Sequence, residues 1–412
     1  MKAGKVVVSH PHGNANVRAV LRALEGQGML ERFVTTIGLS ERRPIPAWVP
    51  GALRRELGRR VYPLLAERIA AAPLREAVRL ASLRLKWGSL TAHERGWACV
   101  DAVWRETDRR AAARLEGAGA AYAYEDGALE TFREAGRRGI ARFYDLPIGY
   151  HEAAQRLFQE ERELMPEFAS SLTGLRDSPE KLERKREELA LADTVIACSP
   201  FVAETLAAAG APPGKIRLVQ FGAPERPPLR DRPSPGPGEP LRVLFAGRIG
   251  QRKGIGYLLR ALERLRAPEI RLTLLGEVEG PADFLRPHAS LFDHLPPRPQ
   301  AEVFAAMERH DLFVLPSLFE GQALAVLEAM KCGLPVVVTP NTGTAHLVEE
   351  GRNGFVVPIR SAEAIAGVLE WALRNRGTLR EMGRAARETA DGLTWHAYEN
   401  KIAGIVRDGI VA

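Results

Sequence analysis

Two carboxylates eight positions apart, Glu320 and Glu328, flank a turn at which an apolar run passes into a helical pattern. Residues 312–315 read as a buried strand, 316–321 as the turn, and 323–330 as a helix opening. A helix that opens there has unpaired backbone N–H groups in its first turn, a ready seat for an anion. Glu328 lies about one and a half turns inside, where its carboxylate reaches hydroxyls of a ligand whose phosphates rest on the helix start. Two acids beside an anion seat suggest a sugar nucleotide.

A second strand-to-loop junction, LFAGRIGQRKG at 244–254, puts Arg248 and Lys253 just past a strand end. Arg chelates phosphate oxygens and Lys adds a compact charge, so the pair can offset a departing nucleoside diphosphate without a metal. The loop is neither GxGxxG nor a Walker P-loop, which argues against a nicotinamide enzyme or an ATPase. Either cation alone would more often be a surface charge. The Glu320 segment in the same domain reverses that reading.

Positioning these groups takes two α/β series. Residues 5–9, KVVVS, read as a first strand, followed by the turn HPHGN and a helix at 15–26. Gly13 and Asn14 fall at the start of that helix, where they can touch a phosphate or an acceptor. Residues 44–118 read as a mainly helical, basic insertion. Strands are predicted at 120–124 and 140–144. A long polar helical section at 151–192 then leads to a strand at 194–197 and a helix at 202–209. Proline and glycine exclude regular structure at 221–240, an interdomain linker. Strands at 241–246, 270–275, 312–315, 335–339 and 354–357 alternate with helices at 256–265, 300–309, 323–330 and 345–349. The division is 1–220, 241–394 and a closing helix at 395–412, where Trp395 and Tyr398 pack across the junction. A ligand is expected between the two domains, outside the carboxyl ends of the strands.

The 412 residues are 45% hydrophobic and 26% charged, ordinary for a soluble globular protein. No apolar run approaches the roughly 18 residues of a membrane span, and the apolar part of MKAGKVVVSHPHG is too short for a signal peptide. A cytoplasmic protein is the expectation. Cys99, Cys198 and Cys332 have no CxxC or Cys/His spacing, so neither a disulfide framework nor a zinc site is indicated. The net charge is +7. Residues 1–120 alone carry 21 Lys and Arg against 11 Asp and Glu, an excess of 10. Arg42, Arg43, Arg54, Arg55, Arg59 and Arg60 mingle with Trp48, Leu53, Leu57, Val61, Leu64 and Leu65. That basic amphipathic pattern suits an anionic membrane surface, with a merely solvated basic helix as an even alternative. Aromatic interleaving and a recognised module are both missing, which places nucleic acid last among partners.

The segments AGRIGQRKG, LFVLPSLFEGQALAVLEAMKCGLPVVVTPNTGT and LVEEGRNGFVVP follow one another over residues 241–360. Together they resemble the retaining GT-B glycosyltransferases, in particular family 4, the bacterial glycosyl transferases group 1. Weaker similarity runs through LADTVIACSPFVAETL and the first βα turn. The resemblance implies an α/β fold of two Rossmann-like, doubly wound domains facing a central cleft, with the C-terminal helix crossing back to the first. It implies transfer of a sugar from a nucleoside diphosphate donor, a UDP-sugar or GDP-sugar, to a hydroxyl acceptor, without cofactor or metal. Arg248 and Lys253 would then hold the diphosphate, and Glu328 the ribose hydroxyls. Leu324 and Ala325 would offer backbone N–H groups beside Gly321, Gln322 and Ala323, and Glu320 would face hydroxyls of the transferred sugar. In this family no enzymic nucleophile is generally assigned, and the leaving phosphate takes the acceptor's proton.

Three departures stand out. The usual EGFG or EGxG is EGQA here, so Ala323 replaces a glycine and Gln322 falls beside sugar and phosphate. The first βα turn has only Gly13 in place of a glycine pair. Where many relatives carry a histidine near the donor sugar, RFYDLPIGYH has Tyr144 and Asp145. Attention therefore moves to Asp145 as a hydroxyl ligand or acceptor base, and to His12 as an acceptor contact, with Glu125 and Asp126 after the preceding strand. The basic first domain would take a lipid-linked glycan at the inner face of the cytoplasmic membrane, as in surface polysaccharide assembly. A non-catalytic nucleotide-sugar or membrane-binding scaffold of the same fold, and a nucleotide-sugar 2-epimerase, are the competing readings.

Overall fold

The computed structural model describes residues 4–43, 45–46, 48–226 and 238–411. Short apolar strands alternating with helices can bury both strand faces only as parallel sheets covered by helices. Two such sheets form. In chain order the strands of the first part are β1 (Val6–Ser9), β2 (Leu30–Thr35), β3 (Leu39–Ser40), β4 (Val61–Tyr62), β5 (Ile69–Ala71), β6 (Ala120–Tyr124), β7 (Ala141–Leu146), β8 (Thr194–Ala197) and β9 (Ile216–Leu218). Those of the second are β10 (Leu241–Ala246), β11 (Ile270–Leu275), β12 (Phe292–Leu295), β13 (Leu312–Leu315), β14 (Val336–Val338) and β15 (Gly354–Val356).

The first sheet runs β5-β2-β1-β6-β7-β8-β9 and the second β12-β11-β10-β13-β14-β15, every pair parallel. Strand order reverses at β1 in one sheet and at β10 in the other. The loops after β1 and β6, and after β10 and β13, therefore diverge and open a crevice at the carboxyl edge of each sheet. One core gathers Val6, Val8, Phe33, Tyr122 and Phe143 around the first sheet, the other Val243, Phe245, Leu274, Phe313 and Val337 around the second. The helix Ala15–Gly26 shows how pattern becomes packing. Asn14 caps it by accepting from the Val17 N–H at 3.2 Å, and Val17, Val20, Leu21 and Leu24 make one buried face.

The closing helix Trp395–Val411 packs on Ala15–Gly26 and β7, so the chain end returns to the first sheet. Arg22 binds Glu399 at 2.7 Å, and Phe221 stacks on Trp395. Contacts between the halves also come from the residues after β7 and β13. Ile148 and Gly321 form an antiparallel bridge, the Gly149 N–H donates to the Glu320 carbonyl at 3.1 Å, and Ser199 Oγ donates to the Gly321 carbonyl at 2.6 Å. Arg360 reaches Glu160 at 2.9 Å and Glu161 at 2.8 Å.

The structure differs from the sequence reading in several elements. The segment at 44–118 contributes the edge strand β5 to the first sheet, and its helix Val100–Ala112 lies against β1 and β2, so part of it builds the domain layer. The section at 151–192 is two helices, His151–Leu164 and Pro179–Leu191, with 3-10 turns between them. Pro166 disfavours a helical Met165, and Ser178 followed by Pro179 supplies a cap and a first helical residue for the second helix. Residues 345–347 make a single 3-10 turn. Residues 227–237 of the expected linker lie outside the described residues.

Candidate functional site

The fully buried strand β13 delivers Pro316 to Gln322 to the crevice, where the helix Leu324–Lys331 begins. Its N-cap, Ala323, offers no side-chain cap to the first-turn N–H groups of Leu324 and Ala325. Glu320 Oε1 accepts from Lys253 Nζ at 2.5 Å and from the Arg252 guanidinium at 2.7 Å, and Arg252 also bonds the Phe319 carbonyl at 3.0 Å. Lys253 arrives through a 3-10 turn closed by Gly254, whose φ is +70°. A Cβ there would lie 2.0 Å from the Pro316 carbonyl oxygen, so this approach of β10 loop to β13 loop requires glycine.

Burial pushes the Glu320 carboxyl up, but Lys253 and then Arg252 outweigh it and hold the acid below the ordinary carboxylate range. Burial pulls the Lys253 ammonium down, and Glu320 restores part of that loss. Glu320 is thus an ionised carboxylate tied to two cations, unsuited to donate a proton. Arg248 is the exposed member of the set. Its side chain is 66% exposed, and its nearest acid is Glu279 at 3.9 Å. Glu328, half-buried behind the helix start, is pushed up to about 6 by burial, with a hydrogen bond to Gln300 pulling the other way. The structure therefore brings Glu320 and Lys253 together, while Arg248 pairs with Glu279 and Glu328 with Gln300. Arg252 was not singled out by the sequence reading. The available signal was a second cation adjoining Lys253 in the same short loop.

The other expected residues lie differently. Gln322 has its oxygen tied to the fold: Oε1 accepts from the Phe221 N–H at 2.6 Å at the chain crossing, while Nε2 is buried with no partner among the described residues. Asp145 is in the core, 1% exposed, accepting from Tyr122 Oη at 2.7 Å; burial pushes its carboxyl up to about 7 against the pull of Tyr122 and Tyr124. Its Oδ1 has no partner among the described residues, but burial on strand β7 leaves it no surface for an acceptor. His12 stands at the end of β1 with Nδ1 2.6 Å from Arg60, which binds Glu76 at 2.9 Å. Burial pushes its imidazole down to about 4 against the pull of Glu76, so His12 is neutral and presents Nε2–H. Gly13 packs on Tyr62, whose ring carbon would meet an added Cβ at 2.1 Å, and the Asn14 side chain is spent on its cap. Among the described residues, His93, Glu94 and Asp177 are spaced as metal ligands, but Lys181 Nζ already sits 3.0 Å from Asp177.

Residues 230–389 match the family described as Glycosyl transferases group 1. The match falls on the second domain. Over 197 residues the chain is 38% identical to D-inositol 3-phosphate glycosyltransferase of Arthrobacter sp. (strain FB24), covering 45% of this chain and 46% of that one. Over 178 residues it is 31% identical to amylovoran biosynthesis glycosyltransferase AmsK of Erwinia amylovora, covering 40% and 43%. The chain thus spans about half the length of the curated relatives it matches. The fold likeness is longer. Anabaena Alr3699/HepE in complex with UDP superposes with a TM-score of 0.62 at 15% identity, covering 98% of this chain and 100% of that one. Sucrose-phosphate synthase from Thermosynechococcus elongatus gives 0.62 at 17%, covering 98% of each. The fold is GT-B, two parallel α/β domains, as the resemblance implied.

Proposed function

We propose that this protein is a retaining glycosyltransferase of family 4 that moves a sugar from a UDP-sugar or GDP-sugar to a hydroxyl of a lipid-linked glycan. The observation that carries this reading is the Lys253–Glu320–Arg252 cluster at the bare start of the helix Leu324–Lys331, inside the group 1 domain. A diphosphate seated on that helix start draws Lys253 from Glu320 and takes the exposed Arg248, while Glu328 bonds the ribose. Glu320, released toward the sugar, orients its hydroxyls and opposes the positive charge that develops at the anomeric carbon. The anomeric carbon then parts from the phosphate oxygen as the acceptor oxygen bonds on the same face, and the phosphate takes the acceptor's proton. Configuration is retained without an enzymic nucleophile, and the two cations, rather than a metal, balance the leaving diphosphate.

The UDP held by the Anabaena structure supports a uridine donor, and the amylovoran biosynthesis of AmsK supports a bacterial surface polysaccharide as product. Peripheral attachment to the inner face of the cytoplasmic membrane rests on the segment at 48–100. Trp48 is 83% exposed and Leu74 69%, with Leu83, Leu85 and Trp87 also exposed beside Arg54, Arg55, Arg84 and Lys86. Arg60 leaves that basic face, because it is buried against Glu76. No helix among the described residues is long and apolar enough to cross a membrane. Incubating the protein with labelled UDP-sugars and GDP-sugars, with and without bacterial lipid extract, tests the reading. Label passing into lipid with one donor supports it, and donor conversion that needs no acceptor would instead favour an epimerase.

A further inference from the structure

Beside the Arg252–Glu320 contact, a cavity of about 180 Å³ opens between the two domains. Glu125, His151, Thr173 and Lys185 face it from the first domain, Arg252 and Glu279 from the second. Three of these carry buried polar atoms with no hydrogen-bond partner among the described residues: Glu125 Oε1, Glu279 Oε2 and both ring nitrogens of His151. His151 is only 6% exposed. Such atoms occur elsewhere among the described residues too, but here three of the residues that carry them line one cavity, where a ligand or water can complete them. The remaining groups are held firmly. Lys185 Nζ lies 3.2 Å from Asp177 and 3.6 Å from Glu125, and Thr173 Oγ1 donates to Glu279 at 2.8 Å.

The chemistry of the wall selects its occupant. Glu125, Asp177 and Glu279 disfavour an anion, while Lys185 and Arg252 in the same wall disfavour a metal ion. Burial pushes the His151 imidazole down to about 4, so it offers one N–H and one lone pair; burial also pushes the Glu125 carboxyl up to about 7, so it can donate or accept, and the unpartnered Glu279 oxygen accepts. A set of neighbouring hydroxyls, each able to donate and to accept, satisfies all of them. Phe158 and Phe319 add an apolar side against which a ring can lie. Most of this wall comes from the first domain, whereas Arg248, Lys253, Leu324 and Glu328 all belong to the second. The two sets meet at Arg252.

We propose that this cavity seats a sugar ring of the acceptor, with His151, Glu125 and Glu279 bonding its hydroxyls. The inference rests on the glycosyltransferase reading and names the part of the molecule that receives the second substrate. The sugar of the donor is the other source of the same hydroxyls, and the test separates the two.

The full-length protein and its His151→Ala, Glu125→Gln and Glu279→Gln variants are compared by saturation-transfer NMR with methyl glycosides of glucose, galactose, mannose and glucuronic acid. UDP, or GDP where only GDP binds, is present throughout. UDP-glucose and free UDP are titrated separately by calorimetry, and melting temperatures show that each variant folds; the two isosteric glutamines cover failure of the alanine variant. At least one glycoside is expected to bind wild type and to lose about fivefold or more of its signal in the variants, because a polar partner is removed. Nucleotide binding is expected to stay within about twofold in His151→Ala and Glu125→Gln, as for a separate site; Glu279→Gln, whose carboxylate lies 3.9 Å from Arg248, is judged on glycoside binding alone. Overturning results are no glycoside binding to nucleotide-loaded wild type, glycoside binding unaltered by all three substitutions, or variants that weaken UDP-glucose but not glycosides. Failure of UDP and GDP to bind wild type speaks against the transferase reading alone; glycoside capture through His151 then still supports the cavity as a sugar site.

Discussion

The two domains share one architecture and use their polar residues in opposite ways. Around β10 and β13, charged groups converge at the crevice with short contacts and little else to bind, as Lys253 and Arg252 do on Glu320. Around β1, β6 and β7, equally polar groups are locked into the fold. His12 is held by Arg60, Asp145 by Tyr122, and Glu188 by the N–H groups of Asp126 and Ala128 at 3.0 and 3.2 Å. A charge cluster at a strand end therefore marks a site only where its members lack structural duties. The second domain meets that condition plainly, and the first meets it at His151 and its neighbours.

The comparison breaks most severely at Glu320. Replacing it by Ala leaves two cations without their partner, one of them nearly buried, and is expected to cost about 3–5 kcal/mol of stability. Glu320→Gln keeps the shape, and under the proposed chemistry should lower turnover by about 10²-fold or more while the protein stays folded. Thermal denaturation and donor turnover measure the two. If Glu320→Gln turned over normally, the acid would be a structural counter-ion like those of the first domain.

The pH dependence of Asp145 sharpens the other side. Its folded pKa, about 7, lies above that of a free carboxyl, so the native state favours the protonated acid. Its stabilising share is complete below the unfolded pKa near 3.8 and is lost as pH rises toward 7. Asp145→Asn removes the titration. Relative to wild type it should gain stability between pH 5 and 8, by at most about 4 kcal/mol, as read from denaturant melts at each pH. A constant difference across that range would mean that Asp145 is ionised and solvated, hence open to a substrate.

Gly254→Ala comes next. The positive φ and the 2.0 Å approach to Pro316 predict a loss of about 1–3 kcal/mol together with weaker nucleotide binding, since the same turn carries Lys253. Smallest in stability is the exposed pair Trp48→Ala with Trp87→Ala, expected within about 0.5 kcal/mol of wild type. That pair should nevertheless release the protein from anionic vesicles in a sedimentation assay. Unchanged sedimentation would reduce the basic face to solvated charge.

Much of this was legible in the residues. Apolar runs such as LRVLFA and LFVL announced β10 and β13, because parallel strands buried on both faces have no polar alternation to hide them. β2 was missed because Glu31 and Arg32 interrupt its apolar run, and β5 because a short edge strand in an arginine-rich stretch looks helical. Glu320 and Lys253 were legible as a pair through their loops. The enclosure of Asp145 was not, since an acid at a strand end reads alike whether a tyrosine or solvent meets it. His151 carried no partner spacing in the sequence, because the groups that share its cavity wall, Glu125, Lys185 and Glu279, come from distant parts of the chain.

The most direct test of the diphosphate seat is calorimetric titration of UDP, GDP, ADP and dTDP into wild type, Lys253→Ala and Glu328→Ala, without added metal. One nucleotide is expected to bind wild type and to bind each variant about tenfold or more weakly, as loss of a charge-assisted contact requires. No binding by any nucleotide, or equal binding by all three proteins, would contradict a donor site at the start of the helix Leu324–Lys331.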